Sequence, residues 1–318
     1  MNFIQYSPDP ITLDPQGGIP DQVHVFEERE VKAINAALAA GRPLLVRGEP
    51  GIGKSQLARA AAKIMKRAYV QHVVDSQTES RDLLWRLDAL QRLGEAQLAG
   101  ALRDVEPEGI RERLAIERFL SPGPLWWAFH WASATEQAEC SGTLAPTLPD
   151  EANPRNGCVV LIDEIDKAES EVPNGLLEAL GSGQINPPGR AEPVSVTDPP
   201  PLLIITTNEE RALPDAFLRR CLVLALALPK DERELADKLV QRGAAHFPKA
   251  KESVLRKAAA LLVADRRAAS EAQLRPLPGQ AEYLDLLRAV LNLYPRSVKQ
   301  QTEALDDLAE YTLRKHGG

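Results

Sequence analysis

The sequence predicts an α/β domain built on a parallel sheet and followed by a smaller domain of α-helices. Apolar runs without alternation indicate strands that are buried on both faces, as in a parallel sheet covered by helices. The predicted strands are residues 43–47, 69–74, 158–162, 202–206 and 222–226. After Pro229 the chain consists of amphipathic stretches that are typical of helices. These helices are expected at residues 231–245, 251–267, 280–293 and 297–314.

The composition fits a soluble globular protein with one large domain or two ordinary ones. The chain has 318 residues, of which 44% are hydrophobic and 26% are charged. A net charge of -7 argues against a protein that coats nucleic acid or binds an anionic membrane, with a local basic site as the alternative. The three cysteines, Cys140, Cys158 and Cys221, are too few for a disulfide framework and indicate a reducing compartment.

Neither the first residues nor the apolar runs suggest export or insertion into a membrane. The sequence starts Met-Asn-Phe-Ile, without the basic segment and the cleavage pattern of a signal peptide. The longest apolar run near a strand, residues 221–228, is far shorter than the roughly 20 residues that span a bilayer. We therefore expect a cytoplasmic protein with no membrane span.

Three parts are expected along the chain: an N-terminal arm at 1–22, an α/β domain at 23–229 and a helical domain at 230–318. The arm is rich in residues that break helices and strands, which predicts an arm that becomes ordered on contact, or a loose lead-in, outside the core. These residues are Pro8, Pro10, Pro15, Gly17, Gly18 and Pro20. Residues 132–156 are small, polar or proline, and we predict a flexible loop there.

A phosphate-binding loop is predicted between the first strand and a helix at 54–67. Residues 48–55, Gly-Glu-Pro-Gly-Ile-Gly-Lys-Ser, satisfy the pattern G-x-x-x-x-G-K-[ST] in that context, although an ordinary glycine-rich turn is the alternative. Backbone N–H groups of such a loop point at phosphate oxygens, as does the positive end of the helix. Lys54 is expected to contact the β- and γ-phosphates and Ser55 to hold Mg²⁺. The residues expected around the nucleotide are Gly48, Pro50, Gly51, Ile52, Gly53, Lys54, Ser55 and Gln56.

Polar residues end the third and fourth predicted strands. Asp163 and Glu164 follow the third strand, and the carboxyl edge of a parallel sheet faces the ligand crevice. Asp163 there can bind Mg²⁺, and Glu164 can orient and deprotonate an attacking water. Asn208 follows the fourth strand and can position that water. The alternatives are solvated helix caps for the acids, which is the role we expect for Asp166, and an ordinary turn residue for Asn208.

Arginines are the remaining candidates for contact with nucleotide. Arg219 and Arg220 precede the fifth strand and have no acidic partner nearby in sequence. We expect that strand on the far side of the sheet from Lys54, so that these arginines stabilise phosphoryl-transfer charge on a neighbouring subunit. Arg296 precedes the last helix and is another candidate for the phosphates. A surface ion pair is the alternative, above all for Arg219.

These motifs, in this order, resemble the AAA+ ATPases, and within them the MoxR family. The resemblance covers roughly residues 24–316. It implies the fold of a P-loop NTPase with an α-helical lid. The implied roles are Walker A for Lys54 and Ser55, Walker B for Asp163 and Glu164, sensor 1 for Asn208, arginine finger for Arg220 or Arg219, and sensor 2 for Arg296.

The resemblance also gives a meaning to the long segment between the second and third strands. It is similar to the helix-2 insert of a clade of AAA+ proteins, expected here at about 85–121, and residues 183–196 are similar to the hairpin before sensor 1. All four tryptophans, Trp85, Trp126, Trp127 and Trp131, lie in this long segment. They are either core residues or exposed residues that grip a partner.

The resemblance implies a Mg²⁺-dependent ATPase that forms a ring, expected to be a hexamer. Such an enzyme would couple ATP hydrolysis to the remodelling or activation of a protein partner, for which a von Willebrand factor A-domain protein is the candidate. The alternatives are a nucleotide-dependent assembly switch in signalling or defence, and a nucleic-acid-associated motor, which the acidic net charge disfavours. The sequence lacks the guanine-recognition string [NT]-K-x-D, which favours ATP over GTP.

Overall fold

The structure is a computed structural model that describes residues 3–15, 22–101 and 107–313. Gly17, Gly18 and Pro20 of the predicted arm, and Arg314 at the end of the last predicted helix, lie outside the described residues. The same is true of residues 102–106 in the predicted insert.

The described chain is a mixed α/β protein that ends in four helices, as predicted. Its strands are β1 (Ile11–Leu13), β2 (Gln22–His24), β3 (Leu44–Arg47), β4 (Ala68–Val73), β5 (Trp85–Leu87), β6 (Leu120–Pro122), β7 (Cys158–Asp163), β8 (Gln184–Ile185), β9 (Val194–Ser195), β10 (Leu202–Thr207) and β11 (Leu222–Ala225). Its helices are α1 (Glu28–Ala40), α2 (Lys54–Ile64), α3 (Ala89–Ala101), α4 (Pro107–Arg113), α5 (Pro124–Phe129), α6 (Trp131–Ser141), α7 (Glu171–Ser182), α8 (Asp215–Leu218), α9 (Glu232–His246), α10 (Glu252–Glu271), α11 (Gln280–Leu293) and α12 (Val298–Thr312).

A five-stranded parallel sheet forms the centre of the α/β part, in the order β11-β3-β10-β7-β4. Strand β7 pairs with β10 on one side and with β4 on the other, both in parallel register. The side chains of residues 158–162 in β7 are all buried, and so are those of β10. Both faces of these strands are therefore buried, which explains the continuous apolar runs in the sequence.

The order of the strands differs from our expectation for the fifth one. Strand β11 lies next to β3 rather than on the far side of the sheet, and the Leu222 N–H donates to the Pro43 carbonyl oxygen at 2.8 Å. Nothing in the apolar run of β11 specifies which strand it joins, because strand order depends on packing between distant segments. Arg220 therefore lies beside the amino end of β3.

The described residues form two compact units. The first unit consists of residues 3–5, 29–46 and 58–224. The second unit consists of residues 6–28, 47–57 and 225–313. Residues that the structure does not describe are left out of both units. The first unit contains most of the sheet and its covering helices. The second contains the phosphate loop and helices α9 to α12, whose core includes Tyr283 and Leu286. The division into arm, α/β domain and helical domain that the sequence suggests stays a prediction.

Part of the predicted N-terminal arm belongs to the core, contrary to expectation. Strand β1 pairs with β2 in antiparallel register, and Leu13 is buried. Ile4 is also buried, and its backbone exchanges two hydrogen bonds with the Asn35 side chain, at 2.9 and 2.8 Å. The arm thus contains short segments, between the residues that break helices and strands, whose apolar side chains are buried.

The predicted flexible loop at 132–156 is partly helical, because it contains all but the first residue of α6. The helix ends at Gly142, which has a φ of 68°. Its buried face consists of Ser133, Ala134, Gln137 and Ala138. Small and polar residues form this face, so the helical period is hidden from a search for large apolar side chains.

Two hairpin-like pairs occur where the resemblance places them. Strands β5 and β6 are antiparallel partners at the two ends of the predicted insert, and α3 and α4 lie between them in the chain. Strands β8 and β9 form a second antiparallel pair, between α7 and β10. The two ends of the predicted insert are therefore paired with each other.

The tryptophans belong to the core. Trp126 and Trp127 are buried, and Trp85 and Trp131 are partly buried and pack against the same cluster. The Trp126 indole N–H donates to Ser133 Oγ at 3.1 Å, so its polar atom has a partner. Among the described residues, no helix combines the length and the apolar character that crossing a membrane requires.

Candidate functional site

The phosphate loop joins β3 to α2 and depends on glycines for its shape. Gly48 has a φ of +154°, and a Cβ at this position would lie 2.4 Å from the Leu226 carbonyl oxygen. The Leu226 N–H in turn donates to the Arg47 carbonyl oxygen at 2.8 Å. A side chain at Gly48 would therefore force this strand-like segment away from the loop.

The Lys54 ammonium group lies inside the curve of the loop. Its Nζ donates to the carbonyl oxygens of Gly48 at 2.7 Å and of Glu49 at 3.1 Å, and the residue is only 7% exposed. Helix α2 begins at Lys54, so the unpaired N–H groups of its first turn are next to this ammonium. Fixed positive charge is therefore concentrated in the loop, as an anion site requires.

A second group of polar residues joins the carboxyl ends of β7 and β10. Thr206 Oγ1 donates to Asp163 Oδ1 at 2.5 Å and accepts from the Glu164 N–H at 2.9 Å. The backbone of Glu164 is in the left-handed region, with a φ of 61°, which is unusual for a residue other than glycine. The Thr206 hydroxyl thus fixes both acidic residues, a role that the sequence analysis did not assign to it.

The Glu164 carboxylate is held from two sides. Asn208 Nδ2 donates to its Oε1 at 3.2 Å, and Lys167 Nζ donates to its Oε2 at 2.6 Å. This ion pair raises the pKa of Lys167. The structure thus brings together Asp163, Glu164 and Asn208, as the sequence suggested, and adds Lys167, which the sequence analysis missed.

Asp166 has a larger part in this group than the helix-start role we expected. The residue is 2% exposed, and its carboxylate accepts hydrogen bonds from the backbone N–H groups of Asn208, at 3.2 and 3.3 Å, and of Glu210 at 2.9 Å. These bonds shape the turn that presents the Asn208 side chain. The partners follow Asp166 by more than 40 residues, so no local signal in the sequence identifies them.

Asp166→Ala is expected to lower the free energy of unfolding by about 2–4 kcal/mol, because two N–H groups lose their buried acceptor. Asp166→Asn keeps one acceptor oxygen and should cost about half as much. Urea denaturation followed by circular dichroism measures the change. Glu169→Ala is the matched control, since Glu169 is exposed and its carboxylate pairs with Arg211 at 3.4 Å at the surface. Equal midpoints for the Asp166→Ala and Glu169→Ala variants would contradict the role of Asp166.

Arg219 and Arg220 form the turn between α8 and β11. The Arg42 guanidinium donates to the carbonyl oxygens of both residues, at 3.0 Å to that of Arg220, and to that of Cys221 at 3.4 Å. Within the described part of the chain, neither Arg219 nor Arg220 has a side-chain hydrogen bond or an ion pair. Both line a groove of about 660 Å³, together with Glu178. Their charges are therefore available to a group from outside the unit.

The structure does not bring Arg296 to the phosphate loop. Within the second unit, it is the amino end of α11 that touches the loop, since a Cβ on Gly51 would lie 2.7 Å from Ala281 Cβ. Arg296 is exposed and follows the carboxyl end of α11. A helix of 14 residues is about 21 Å long, so the two positions are far apart.

The chemistry of the donor atoms fits Mg²⁺. The metal prefers a few oxygen ligands and keeps several waters, so it needs only one or two protein oxygens besides those of a phosphate. Asp163 and Ser55 offer a carboxylate and a hydroxyl of this kind. Among the described residues there is no group of three or more His, Cys, Asp or Glu side chains that could hold a metal by itself.

A phosphate loop after one strand of a parallel sheet, with acids and an amide after two others, defines the α/β class of nucleotide-binding proteins. The AAA domain of the dynein-related subfamily matches residues 43–242, which include all of these motifs. The chain belongs to this family of AAA ATPases, and this membership implies nucleotide binding.

Comparison with individual proteins adds little to the family match. No curated protein matches the chain. One solved structure with some likeness is described as a "putative ATPase" from Cytophaga hutchinsonii. It is 16% identical, with a TM-score of 0.39, and the alignment covers 90% of this chain and 80% of that one. A likeness of this degree indicates nothing about the activity of this chain.

Proposed function

We propose that the protein is a Mg²⁺-dependent ATPase of the MoxR type, which hydrolyses ATP to ADP and phosphate. The observation that carries the proposal is the Thr206-centred link, which holds Asp163 and Glu164 at the end of β7 while Asn208 contacts the Glu164 carboxylate. A carboxylate fixed beside an amide in this way can accept a proton from a water that the amide orients.

The residues of the candidate site would have separate roles in phosphoryl transfer. The loop N–H groups and Lys54 would bind the phosphates, and Lys54 would exchange its bonds to the loop carbonyl oxygens for bonds to phosphate oxygens. Asp163 and Ser55 would hold Mg²⁺, which supplies Lewis-acid stabilisation of the phosphate charge when bound. Glu164 would take the proton of the attacking water, and Asn208 would orient that water.

We further propose that the chain forms a ring, expected to be a hexamer, that remodels or activates a protein partner in the cytoplasm, for which a von Willebrand factor A-domain protein is our candidate. Two features support the proposal. The side chains of Arg219 and Arg220 have no partner among the described residues of their own chain. Leu90 and Leu93, three positions apart on helix α3, are 83 and 56% exposed, and neighbouring exposed apolar side chains are typical of protein contact sites.

A nucleotide-dependent assembly switch is the second candidate, and one observation favours it. Lys167 Nζ occupies one oxygen of the Glu164 carboxylate at 2.6 Å, and this bond must break before that oxygen can accept a proton from water, which predicts slow turnover. The two functions differ in their rates. A remodelling enzyme hydrolyses ATP steadily and faster with its partner, whereas a switch turns over slowly and changes its state of assembly on binding ATP.

The proposal predicts that the wild type binds ATP with Mg²⁺ and that Lys54→Ala does not, because the variant lacks the ammonium that pairs with the phosphates. Equilibrium binding of a fluorescent ATP analogue measures this, with GTP as competitor and EDTA to remove the metal. Lys63→Ala, on the same helix, is the control and should bind as the wild type does. Wild-type affinity in Lys54→Ala, or no binding by the wild type, would overturn the proposal.

A further inference from the structure

The phosphate loop and the C-terminal helices are in direct contact within the second unit. Ala281, in the first turn of α11, lies so close to Gly51 that any side chain on this glycine would collide with it. The turn before α11 is also near the loop, since a Cβ on Gly279 would lie 3.9 Å from the Pro50 carbonyl oxygen. The loop is thus covered by the start of α11.

An ion pair reinforces this contact. Arg266, on α10, donates from Nη2 to Glu49 Oε1 at 2.9 Å and to Oε2 at 2.7 Å. From Nη1 it donates to the Pro278 carbonyl oxygen at 2.8 Å, in the turn before α11. The Arg266 side chain is 16% exposed and that of Glu49 is 43% exposed, so the pair is partly shielded from water. Arg266 therefore connects the loop, α10 and the turn before α11.

Glu49 connects this ion pair to the lysine of the loop. Its carbonyl oxygen accepts from Lys54 Nζ, while its carboxylate binds Arg266. A movement of Arg266 would therefore shift the peptide group that helps to hold the Lys54 ammonium. None of the roles proposed above uses the Glu49 carboxylate or Arg266.

We propose that the Glu49–Arg266 ion pair is a clasp that holds the helices α10 and α11 over the phosphate loop and slows the release of bound nucleotide. The inference rests on the proposed function, because only a bound nucleotide can be retained. While the pair is intact, the start of α11 covers the loop at Gly51. When the pair breaks, the turn at Pro278 loses its anchor and the phosphates can leave. Glu49 and Arg266 are positioning residues in this account.

The test is the dissociation rate of a fluorescent ADP analogue, mant-ADP, from the full chain after a chase with unlabelled ADP. Glu49→Gln and Arg266→Gln should each release it about fivefold faster, a modest effect because Glu49 is partly exposed. The double variant Glu49→Arg with Arg266→Glu restores opposite charges but not the bond to the Pro278 carbonyl oxygen, so it should release the analogue more slowly than either single variant without reaching the wild-type rate. A merely structural role for either residue would not produce this recovery.

Two controls sharpen the test. Arg267→Gln changes the neighbouring arginine of α10, which pairs with Glu232 at 3.5 Å and does not touch the loop, so the wild-type rate is expected. The ratio of variant to wild-type rates should fall towards one at high salt, because salt weakens the ion pair only where it exists. The salt dependence of the wild-type rate remains informative if a variant does not fold.

The outcomes separate the two proposals. A wild type that binds no mant-ADP overturns the proposed function and the clasp with it. A wild type that binds mant-ADP while both single variants release it at the wild-type rate overturns the clasp alone. The same holds if the charge-reversed pair is as fast as the single variants.

Discussion

Glu164→Gln is expected to slow ATP hydrolysis by about 10²- to 10⁴-fold while leaving ATP binding close to that of the wild type. Glutamine has the same shape as glutamate but cannot take a proton from water at neutral pH. The contact with Asn208 can persist, since an amide oxygen also accepts from Nδ2. The loss should therefore fall on the chemical step and not on the architecture of the site.

Single-turnover hydrolysis of radiolabelled ATP, compared with equilibrium binding of the same nucleotide, measures the two steps separately. Glu169→Gln is the matched control, because Glu169 is an exposed acid just after the site and should not change the rate. Hydrolysis by Glu164→Gln at the wild-type rate would remove Glu164 from the mechanism. A variant that no longer binds ATP would show that Glu164 acts in binding instead.

Arg220→Ala is expected to lower the hydrolysis rate by about 10³-fold or more, because an arginine supplied across an interface stabilises the charge on the transferred phosphoryl group. The Leu222 bond to Pro43 places this arginine at the amino end of β3, whereas the phosphate loop leaves β3 at the carboxyl end. We therefore expect Arg220 to act on the nucleotide of a neighbouring subunit in a head-to-tail ring. Arg219→Ala tests the alternative finger in the same assay.

Mixing distinguishes action between subunits from action within one. Lys54→Ala and Arg220→Ala are each expected to be inactive. The first variant binds no nucleotide, and the second lacks the cation that stabilises the transferred phosphoryl group. A mixture should regain part of the activity, because some interfaces pair an intact loop with an intact arginine. The wild-type rate should also rise more than linearly with protein concentration. A strictly proportional rate with no recovery on mixing would contradict the ring.

The elements that the sequence predicted best are those whose signal is local. The strands β3, β7 and β10 are buried on both faces, so their apolar runs mark them within about a residue. The phosphate loop is defined by glycines whose backbone requirements no other residue meets, as at Gly48. The acids at the end of β7 follow from the same strand.

The features that the sequence did not reveal depend on distant partners. Thr206 and Asp166 act through bonds to residues more than 40 positions away, and neither residue type has a distinctive pattern nearby. The position of β11 next to β3 depends on packing between distant segments, which the apolar run of β11 does not specify. Arg296 precedes α12, whereas the helix end that meets the phosphate loop is the amino end of α11.

Because strands β5 and β6 pair with each other, the segment between them can be exchanged for another segment. Their three-residue ladder brings Trp85 opposite Pro122, and the Gly123 N–H closes the pair by donating to the Leu84 carbonyl oxygen at 2.9 Å. Because the closure entropy of a loop grows only slowly with its length, a longer or shorter segment between these strands costs little stability. Related chains could thus acquire new recognition surfaces here while the sheet stays unchanged, and an engineer could graft a binding peptide at the same place.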